Sequence, residues 1–184
     1  MKATTLAFVL SVIITVTLAR PAMAEEAEQN ENGRWSLAAT AHIGPFENYP
    51  NGGISVDALY HFGERLRLGG RILYYAPKTY GNVRRESFLA DVLLQVLIVN
   101  TRWVDWTFDV GVGLGYFHDD YQRVYDDVSR LAPGLALGTG IEIRATSWMR
   151  PFLGFRTVAY FTENITDSQW LELTVGLRFV FGTR

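Results

Sequence analysis

The chain has 184 residues, and its 17 lysines and arginines are outnumbered by 19 aspartates and glutamates, so its net charge of −2 leaves no basic surplus for binding nucleic acid. It contains no cysteine, which excludes a disulfide framework and thiolate metal or redox chemistry. The length suits a single domain.

The first residues have the pattern of a secretory signal peptide. A basic start at Lys2 precedes an apolar run to Ala19, and small residues at Ala22 and Ala24 form an A-x-A cleavage site. A retained N-terminal anchor is the alternative, but the apolar run is short for a membrane-spanning helix. We therefore expect three regions, a signal peptide over 1–24, a disordered periplasmic leader over 25–33 and one barrel domain over 34–184.

From residue 34 onward, apolar and polar residues alternate in eight segments, as in β-strands with one apolar and one polar face. In "WTFDVGVGLGYF" (106–117) one parity runs from Trp106 to Tyr116 and is apolar, whereas the other holds Asp109 and three glycines. After the signal, no apolar run reaches the length of a membrane helix. Strands are predicted at about 34–43, 53–62, 65–75, 87–98, 105–117, 130–143, 149–161 and 169–181.

The connections between these segments alternate in length. "GPFENYPNGG", "APKTYGNVRRE", "HDDYQRVYDDVS" and "TENITDSQ" are long and polar, whereas "GE", "NTRWVD" and "RATSW" are shorter. An even number of strands with short turns at one end and longer loops at the other is typical of an outer-membrane barrel. The pattern predicts an all-β, eight-stranded antiparallel up-and-down barrel. Its apolar face points either at lipid or, as in a soluble barrel of lipocalin type, inward.

The residues of the polar face favour the transmembrane β-barrel. This face is rich in glycine, lacks lysine and carries charges of both signs, and charges inside a narrow lumen must be paired. Counting outward from the hairpin turns places three pairs opposite each other, Asp57 with Arg71, Glu142 with Arg150 and Arg156 with Glu172. The full predicted salt-bridge network consists of Asp57, Arg67, Arg71, Asp91, Asp109, Glu142, Arg150, Arg156, Glu172 and Arg178.

Aromatic residues collect at both ends of the predicted strands. Trp35, Phe62, Trp103, Trp106, Trp148, Phe179 and Phe181 fall at the periplasmic ends, and Tyr49, Tyr74, Tyr75, Tyr116, Tyr160, Phe161 and Trp170 near the outer ends. Two rows of amphipathic rings are typical of the two interfaces of a membrane.

The last strand, "TVGLRFVF" (174–181), resembles the C-terminal targeting signal of outer-membrane barrels. The matching residues are Thr174, Gly176, Phe179 and Phe181, although Phe181 is followed by "GTR" and is not terminal. With its signal peptide and eight strands, the exported chain is similar to the OmpA transmembrane domain and to OmpX-like barrels. The resemblance implies insertion by the barrel assembly machinery, location in the bacterial outer membrane and a monomeric state.

An eight-stranded barrel encloses little more than its own side chains, so a porin-type pore is not expected. We interpret the protein as a structural or interaction barrel that supports the envelope and presents loops to lipopolysaccharide or external partners. Lys78, Arg84 and Arg85 in the second loop are the predicted contacts with lipopolysaccharide phosphates. The acidic third loop holds carboxylates that suit a divalent cation, but their spacing matches no calcium loop, so neither a metal nor a cofactor is predicted.

Two alternatives remain open at this point. The first is a lipid A-modifying acyl hydrolase or transferase, which needs a serine, a histidine and an acid within hydrogen-bond reach. The sequence has no His-x-Ser on a strand, and nothing in it places the outer serines Ser55, Ser87 and Ser129 beside His42 or His118, so no catalytic residue is assigned. The second is a narrow channel, which requires a continuous water path past Arg71, Arg150 and Arg156.

Overall fold

The computed structural model describes residues 31–44, 52–121, 127–161 and 169–182, without the side chains of residues 80, 169 and 170. The predicted signal peptide and residues 25–30 of the predicted leader lie outside this part. Among the described residues, no helix is long and apolar enough to cross a membrane.

Eight antiparallel strands form a closed barrel in which each strand pairs with its sequence neighbours and β1 pairs with β8. This confirms the predicted fold class. The strands are β1 Trp35–Ile43, β2 Gly53–Phe62, β3 Leu66–Tyr80, β4 Val83–Asn100, β5 Val104–Tyr121, β6 Val128–Ile143, β7 Met149–Tyr160 and β8 Gln169–Phe181.

The apolar parity of the strands points outward. Ile72 is 69% exposed and Leu131 is 71% exposed, whereas Asp57 and Arg178 on the other parity are at most 1% exposed. A soluble barrel of lipocalin type would show the reverse arrangement. The Trp106 indole, on the outer surface, donates a hydrogen bond to Thr139 Oγ1 at 2.8 Å. This polar group is therefore satisfied within the barrel wall, as contact with lipid requires.

Glycines on the inward parity let neighbouring strands approach closely. A Cβ atom added at Gly69 would lie 1.8 Å from the Ala58 carbonyl oxygen, and one at Gly113 would lie 2.0 Å from the Ala90 carbonyl oxygen. Both positions therefore exclude any side chain unless the backbone moves. The lumen is accordingly narrow, and large side chains fill it from the remaining inward positions.

Strands β3 to β6 extend beyond the predicted bounds at the outer end. The predicted second loop is a hairpin, in which β3 and β4 continue to a tight turn at Gly81, whose φ is +59°. Its cross-strand pairs include Lys78 with Arg85 and Thr79 with Arg84, so side-chain pairing continues beyond the membrane-crossing part. We call residues 76–86, 117–121 and 128–130 the outer extension.

The direction of the apolar face generates a first prediction. Val112 lies midway along β5 and is 59% exposed, so arginine there would be placed in hydrocarbon. We expect Val112→Arg to lower the free energy of unfolding in lipid vesicles by about 2–4 kcal/mol. The matched control Leu131→Arg, on the same face at the outer interface, is expected to cost only about 0–1 kcal/mol. Equal losses in urea titrations of the two variants would contradict the assigned orientation.

Candidate functional site in the barrel lumen

The periplasmic end of the lumen is filled by an ionic cluster that we call the inner-mouth cluster. Its members come from the periplasmic ends of four strands, from the β6–β7 connection and from the segment before β1: Glu31, His61, Arg67, Asp105, Arg144 and Arg150. Asp105 accepts hydrogen bonds from Arg144 Nε at 3.1 and 3.0 Å and from Arg150 Nη1 at 3.4 Å. All six side chains are buried, so the cluster closes this end of the barrel.

Glu31 belongs to this cluster, although the sequence analysis placed it in a leader outside the barrel. Its carboxylate accepts hydrogen bonds from Arg150 and, at 3.0 Å, from His61 Nδ1. Burial raises the pKa of Glu31, but the hydrogen bonds from His61 and Arg150 and the charges of Arg150 and Arg67 outweigh burial and hold the pKa well below its usual range. The sequence analysis did not use the Asn32–Gly33 dipeptide, a turn signal that could have indicated an ordered reversal here.

Two of the three predicted pairs are in contact. Arg71 donates to both carboxylate oxygens of Asp57 at 2.6 and 2.7 Å, the bidentate geometry that suits a guanidinium. Arg156 lies 3.7 Å from Glu172, and it also donates to Asp91.

The third predicted pair, Glu142 with Arg150, is not formed. Glu142 is paired in register with Phe152, two residues beyond Arg150, so the strands are not paired symmetrically about the centre of the connection at 144–148. Glu142 instead accepts from Arg67 and Arg178, each at 2.8 Å, while Arg150 turns to the inner-mouth cluster. Of the remaining predicted members, Asp109 accepts from Gln95 Nε2 at 2.8 Å.

A Ser–His–Glu arrangement lies at the outer end of β1. His42 Nδ1 is 2.9 Å from Glu172 Oε1, and His42 Nε2 is 2.9 Å from Ser55 Oγ. Because a carboxylate only accepts, the Nδ1–H donates to Glu172, and in the neutral ring Nε2 is left to accept the Ser55 hydroxyl proton. The three residues are buried, and Asp57 Oδ1 competes for the same hydroxyl at 3.3 Å.

Sequence reasoning missed this arrangement because its members are diagonal neighbours on three strands. His42 is paired with Gly53 on β2 and with Thr174 on β8, and Ser55 and Glu172 each lie two residues from those partners on the same face. Only the closure of β1 onto β8 brings Glu172 to His42. The signal that was present is the shared inward parity of the three residues.

A second arrangement of the same kind lies at the periplasmic end. His61 Nδ1 is 3.0 Å from Glu31, and His61 Nε2 is 2.9 Å from Ser36 Oγ. Both Ser–His–Glu arrangements therefore join the first two strands to each other and to a carboxylate, which comes from β8 at the outer end and from the segment before β1 at the periplasmic end. His118, by contrast, lies on the outer surface with Ser129 Oγ 3.0 Å from its Nδ1.

Apolar side chains cover the charged layers on the outer side. We call this group the outer apolar cluster, and its buried members are Leu73, Tyr75, Leu89, Phe117, Ala132, Ala136, Val158 and Tyr160. The Phe117 and Tyr160 rings meet edge to face with centroids 5.4 Å apart. The tyrosine hydroxyls point to the charged layer, Tyr75 donating to Glu172 and Tyr160 donating to Asp91 at 3.4 Å.

A small cavity remains between the ionic layers. Its volume is about 20 Å³, enough for one water molecule, and its lining includes Thr40, Arg71, Asp109, Arg156 and Arg178. Thr40 Oγ1 and Arg156 Nη1 are buried there without a hydrogen-bond partner.

The residues predicted to contact lipopolysaccharide lie on two faces of the outer extension. Lys78 and Arg85 are cross-strand neighbours, and Arg85 binds Asp119 at 2.6 and 2.9 Å together with Arg130. Arg84 is exposed on the opposite, outward face, across from Asp120. Because two arginines occupy Asp119, this aspartate is committed to an ion-pair network, and the described residues hold no group of acids and histidines suited to a metal.

The predicted assembly-signal residues all lie on β8. Thr174 faces the lumen, and a Cβ atom added at Gly176 would lie 2.4 Å from the Ala39 carbonyl oxygen. On the outward parity, Phe179 stacks on Trp148 at 6.0 Å, and Phe181 is half exposed.

We compared the chain with known proteins to find the class of protein to which this barrel is similar. No protein-family model and no curated protein matches the sequence. Solved structures do match. The N-terminal β-barrel domain of Pseudomonas aeruginosa OprF superposes with a TM-score of 0.65 at 10% identity, over 82% of this chain and 98% of that one. Neisserial surface protein A gives 0.65 at 16% identity, over 82% and 98%, and Ail of Yersinia pestis gives 0.55 at 13%, over 82% and 99%.

These similarities show the fold, and the apolar exterior is the surface that a barrel in a membrane presents to lipid. The chain is a small eight-stranded β-barrel of the outer-membrane class. The resemblance to OmpA-like and OmpX-like barrels is thereby confirmed in fold.

The filling of the lumen generates a second prediction. Because the inner-mouth cluster and the outer apolar cluster close opposite ends of the described lumen, the purified protein should show no resolved conductance steps in planar lipid bilayers. A porin reconstituted under the same conditions is the positive control. Steady conductance steps in every insertion would contradict a filled lumen and favour the narrow-channel hypothesis.

Proposed function

We propose that the protein is a structural and interaction barrel, which anchors the outer extension rigidly in the membrane and binds anionic groups of lipopolysaccharide with it. The observation that carries this proposal is the length of the central strands. β4 and β5 have 18 residues each, whereas a tilted strand crosses a membrane with about 9–11. The outer extension takes residues 83–86 of β4 and 117–121 of β5, so about 15 Å of sheet stands beyond the crossing part.

The charges on this sheet suit phosphate groups. Arg85 and Arg130 both bind the carboxylate of Asp119, and Lys78 is the cross-strand neighbour of Arg85, so these four residues carry three positive charges and one negative charge. Arg84 adds a guanidinium on the outward face, the side from which surrounding lipopolysaccharide approaches. Guanidinium groups bind phosphate oxygens in bidentate geometry. Ail, a barrel of the same fold, has been crystallised in complex with the heparin analogue sucrose octasulfate.

The proposal also covers the assembly of the barrel and its oligomeric state. Thr174, Gly176, Phe179 and Phe181 present the predicted targeting pattern on the strand that closes the barrel, which supports recognition by the barrel assembly machinery. Because closure of β1 onto β8 leaves the described sheet without an edge, we propose that the barrel is monomeric.

The third prediction tests the lipopolysaccharide contact. Lys78→Gln/Arg84→Gln removes two positive charges and leaves the Arg85–Asp119–Arg130 network intact. We expect its affinity for lipopolysaccharide micelles to fall about fivefold at low salt, because exposed ion pairs contribute about 0.2–1 kcal/mol each. The control is Arg102→Gln, which removes an exposed arginine from a periplasmic turn and should leave binding unchanged. Equal affinities of the double variant and the control in titrations monitored by fluorescence would contradict the proposal.

A second candidate function, acyl hydrolysis or transfer, is favoured by the Ser55–His42–Glu172 arrangement. The distances are those of a serine nucleophile, a general base and its orienting acid. In such a step, Ser55 Oγ would bond to an acyl carbonyl while its proton passes to His42 Nε2 and then to the departing alkoxide. Burial of all three side chains and the competing hydrogen bond to Asp57 weigh against this candidate, so it ranks second.

The fourth prediction separates a reactive serine from a structural one. A reactive Ser55 would displace fluoride from a fluorophosphonate probe, and peptide mass spectrometry would find the adduct on Ser55. The adduct should disappear in Ser55→Ala and persist in Ser36→Ala, which alters the matching arrangement at the other end of the lumen. Absence of an adduct from the folded parent protein would exclude this second function.

A further inference from the structure

The chain reverses direction immediately before β1. Arg34 N donates to the Glu31 carbonyl oxygen at 3.2 Å, which closes a turn with Gly33 at a φ of +81°. Asn32 Oδ1 accepts from Gly63 N at 2.9 Å, and Gly33 N donates to the His61 carbonyl oxygen at 3.0 Å. The turn is therefore bound to the end of β2, and it directs the Glu31 side chain into the barrel.

Four positively charged or donating side chains meet the Glu31 carboxylate. Beyond the hydrogen bonds from Arg150 and His61, Arg67 Nη2 lies 3.6 Å from Glu31 Oε2 and Arg144 Nη2 lies 3.9 Å from Oε1. These donors come from β2, β3, β7 and the β6–β7 connection. A carboxylate in their midst is thus held from several sides of the barrel wall at once.

The donors at this site outnumber the acceptors. Arg67 Nε, Arg67 Nη2 and Arg150 Nε are buried without a hydrogen-bond partner even with Glu31 in place. If Glu31 were absent, Arg67 would keep its ion pair with Glu142 at 2.8 Å, but Asp105 would be the one further carboxylate that the described residues offer to Arg67, Arg144 and Arg150. Buried guanidinium groups left in that state attract an anion of matching size.

We propose that the inner mouth is a carboxylate-binding site, and that Glu31 occupies it as a stopper formed by the chain's own N-terminal segment. The ligand class is a small monocarboxylate, since the group that these donors hold, the Glu31 side chain, is one carboxylate on a short aliphatic stem. The site lies at the opposite end of the barrel from the outer extension, so it is independent of lipopolysaccharide binding.

The fifth prediction uses chemical rescue. Glu31→Ala removes a group that acetate matches, so acetate is the probe. In sodium chloride, we expect the thermal unfolding midpoint of protein purified from outer membranes to fall by about 10 °C in this variant, because its buried arginines lose a partner. Sodium acetate at the same ionic strength and pH should restore most of that loss and saturate with concentration. The parent protein should respond to neither salt in this way.

Two further variants make the result decisive. Glu31→Gln keeps the volume but not the charge, so it should be destabilised and acetate should not rescue it, because the amide fills the site. Glu64→Ala removes an exposed glutamate at the same end of the barrel and should behave like the parent. The proposal is overturned if acetate stabilises Glu31→Ala no more than Glu64→Ala. If Glu31→Ala fails to fold in both salts, a parent-like midpoint for Glu31→Gln overturns the proposal and a lowered midpoint supports it.

Discussion

The structure depends on one constraint, namely that every charge inside a narrow barrel must find a partner. Isolated in a lumen of low dielectric constant, an arginine or carboxylate costs several kcal/mol of desolvation free energy. Among the described residues, six buried arginines (Arg67, Arg71, Arg144, Arg150, Arg156 and Arg178) match six buried carboxylates (Glu31, Asp57, Asp91, Asp105, Glu142 and Glu172), and a seventh buried carboxylate, Asp119, is paired at the outer end with the partly buried Arg85 and Arg130. The balance makes the lumen a core, and it leaves the apolar parity free to face lipid.

Pairing over long sequence separations also fixes the register of the strands. A shift of one residue would turn each inward side chain toward lipid, so the ionic layers penalise every wrong register. The contacts of His42 with Glu172 and of Arg178 with Ser36 cross the seam between β1 and β8, the pairing that closes the barrel. The two Ser–His–Glu arrangements are explained by this role without any chemistry, because a histidine with one donor and one acceptor joins a carboxylate to a hydroxyl.

How far the sequence predicts this lumen depends on the distance between partners along the chain. Counting across a short turn correctly predicts the pair Asp57 and Arg71. The predicted pair Glu142 and Arg150 is wrong because the register across the connection between β6 and β7 is shifted by two residues. Glu31 was missed for a different reason. Acidic composition predicted disorder, but composition does not reveal that three arginines from distant strands converge where the turn at Gly33 points. Loop polarity misled in the same way at residues 76–86, where β3 and β4 remain paired up to the turn at Gly81 despite a register shift between Tyr75 and Lys78.

The outer extension depends on the filled lumen for its rigidity. A sheet that stands in water above the membrane has neither lipid nor a second layer to pack against, so its rigidity must come from its base and from its own pairs. The outer apolar cluster supplies the base, since Leu73, Leu89 and Ala132 lie on the same strands directly below the extension. Above them, the Arg85–Asp119–Arg130 network joins three of the strands. A binding surface placed on a rigid element loses little conformational entropy when it binds, and for this reason we place the interaction surface on the extension.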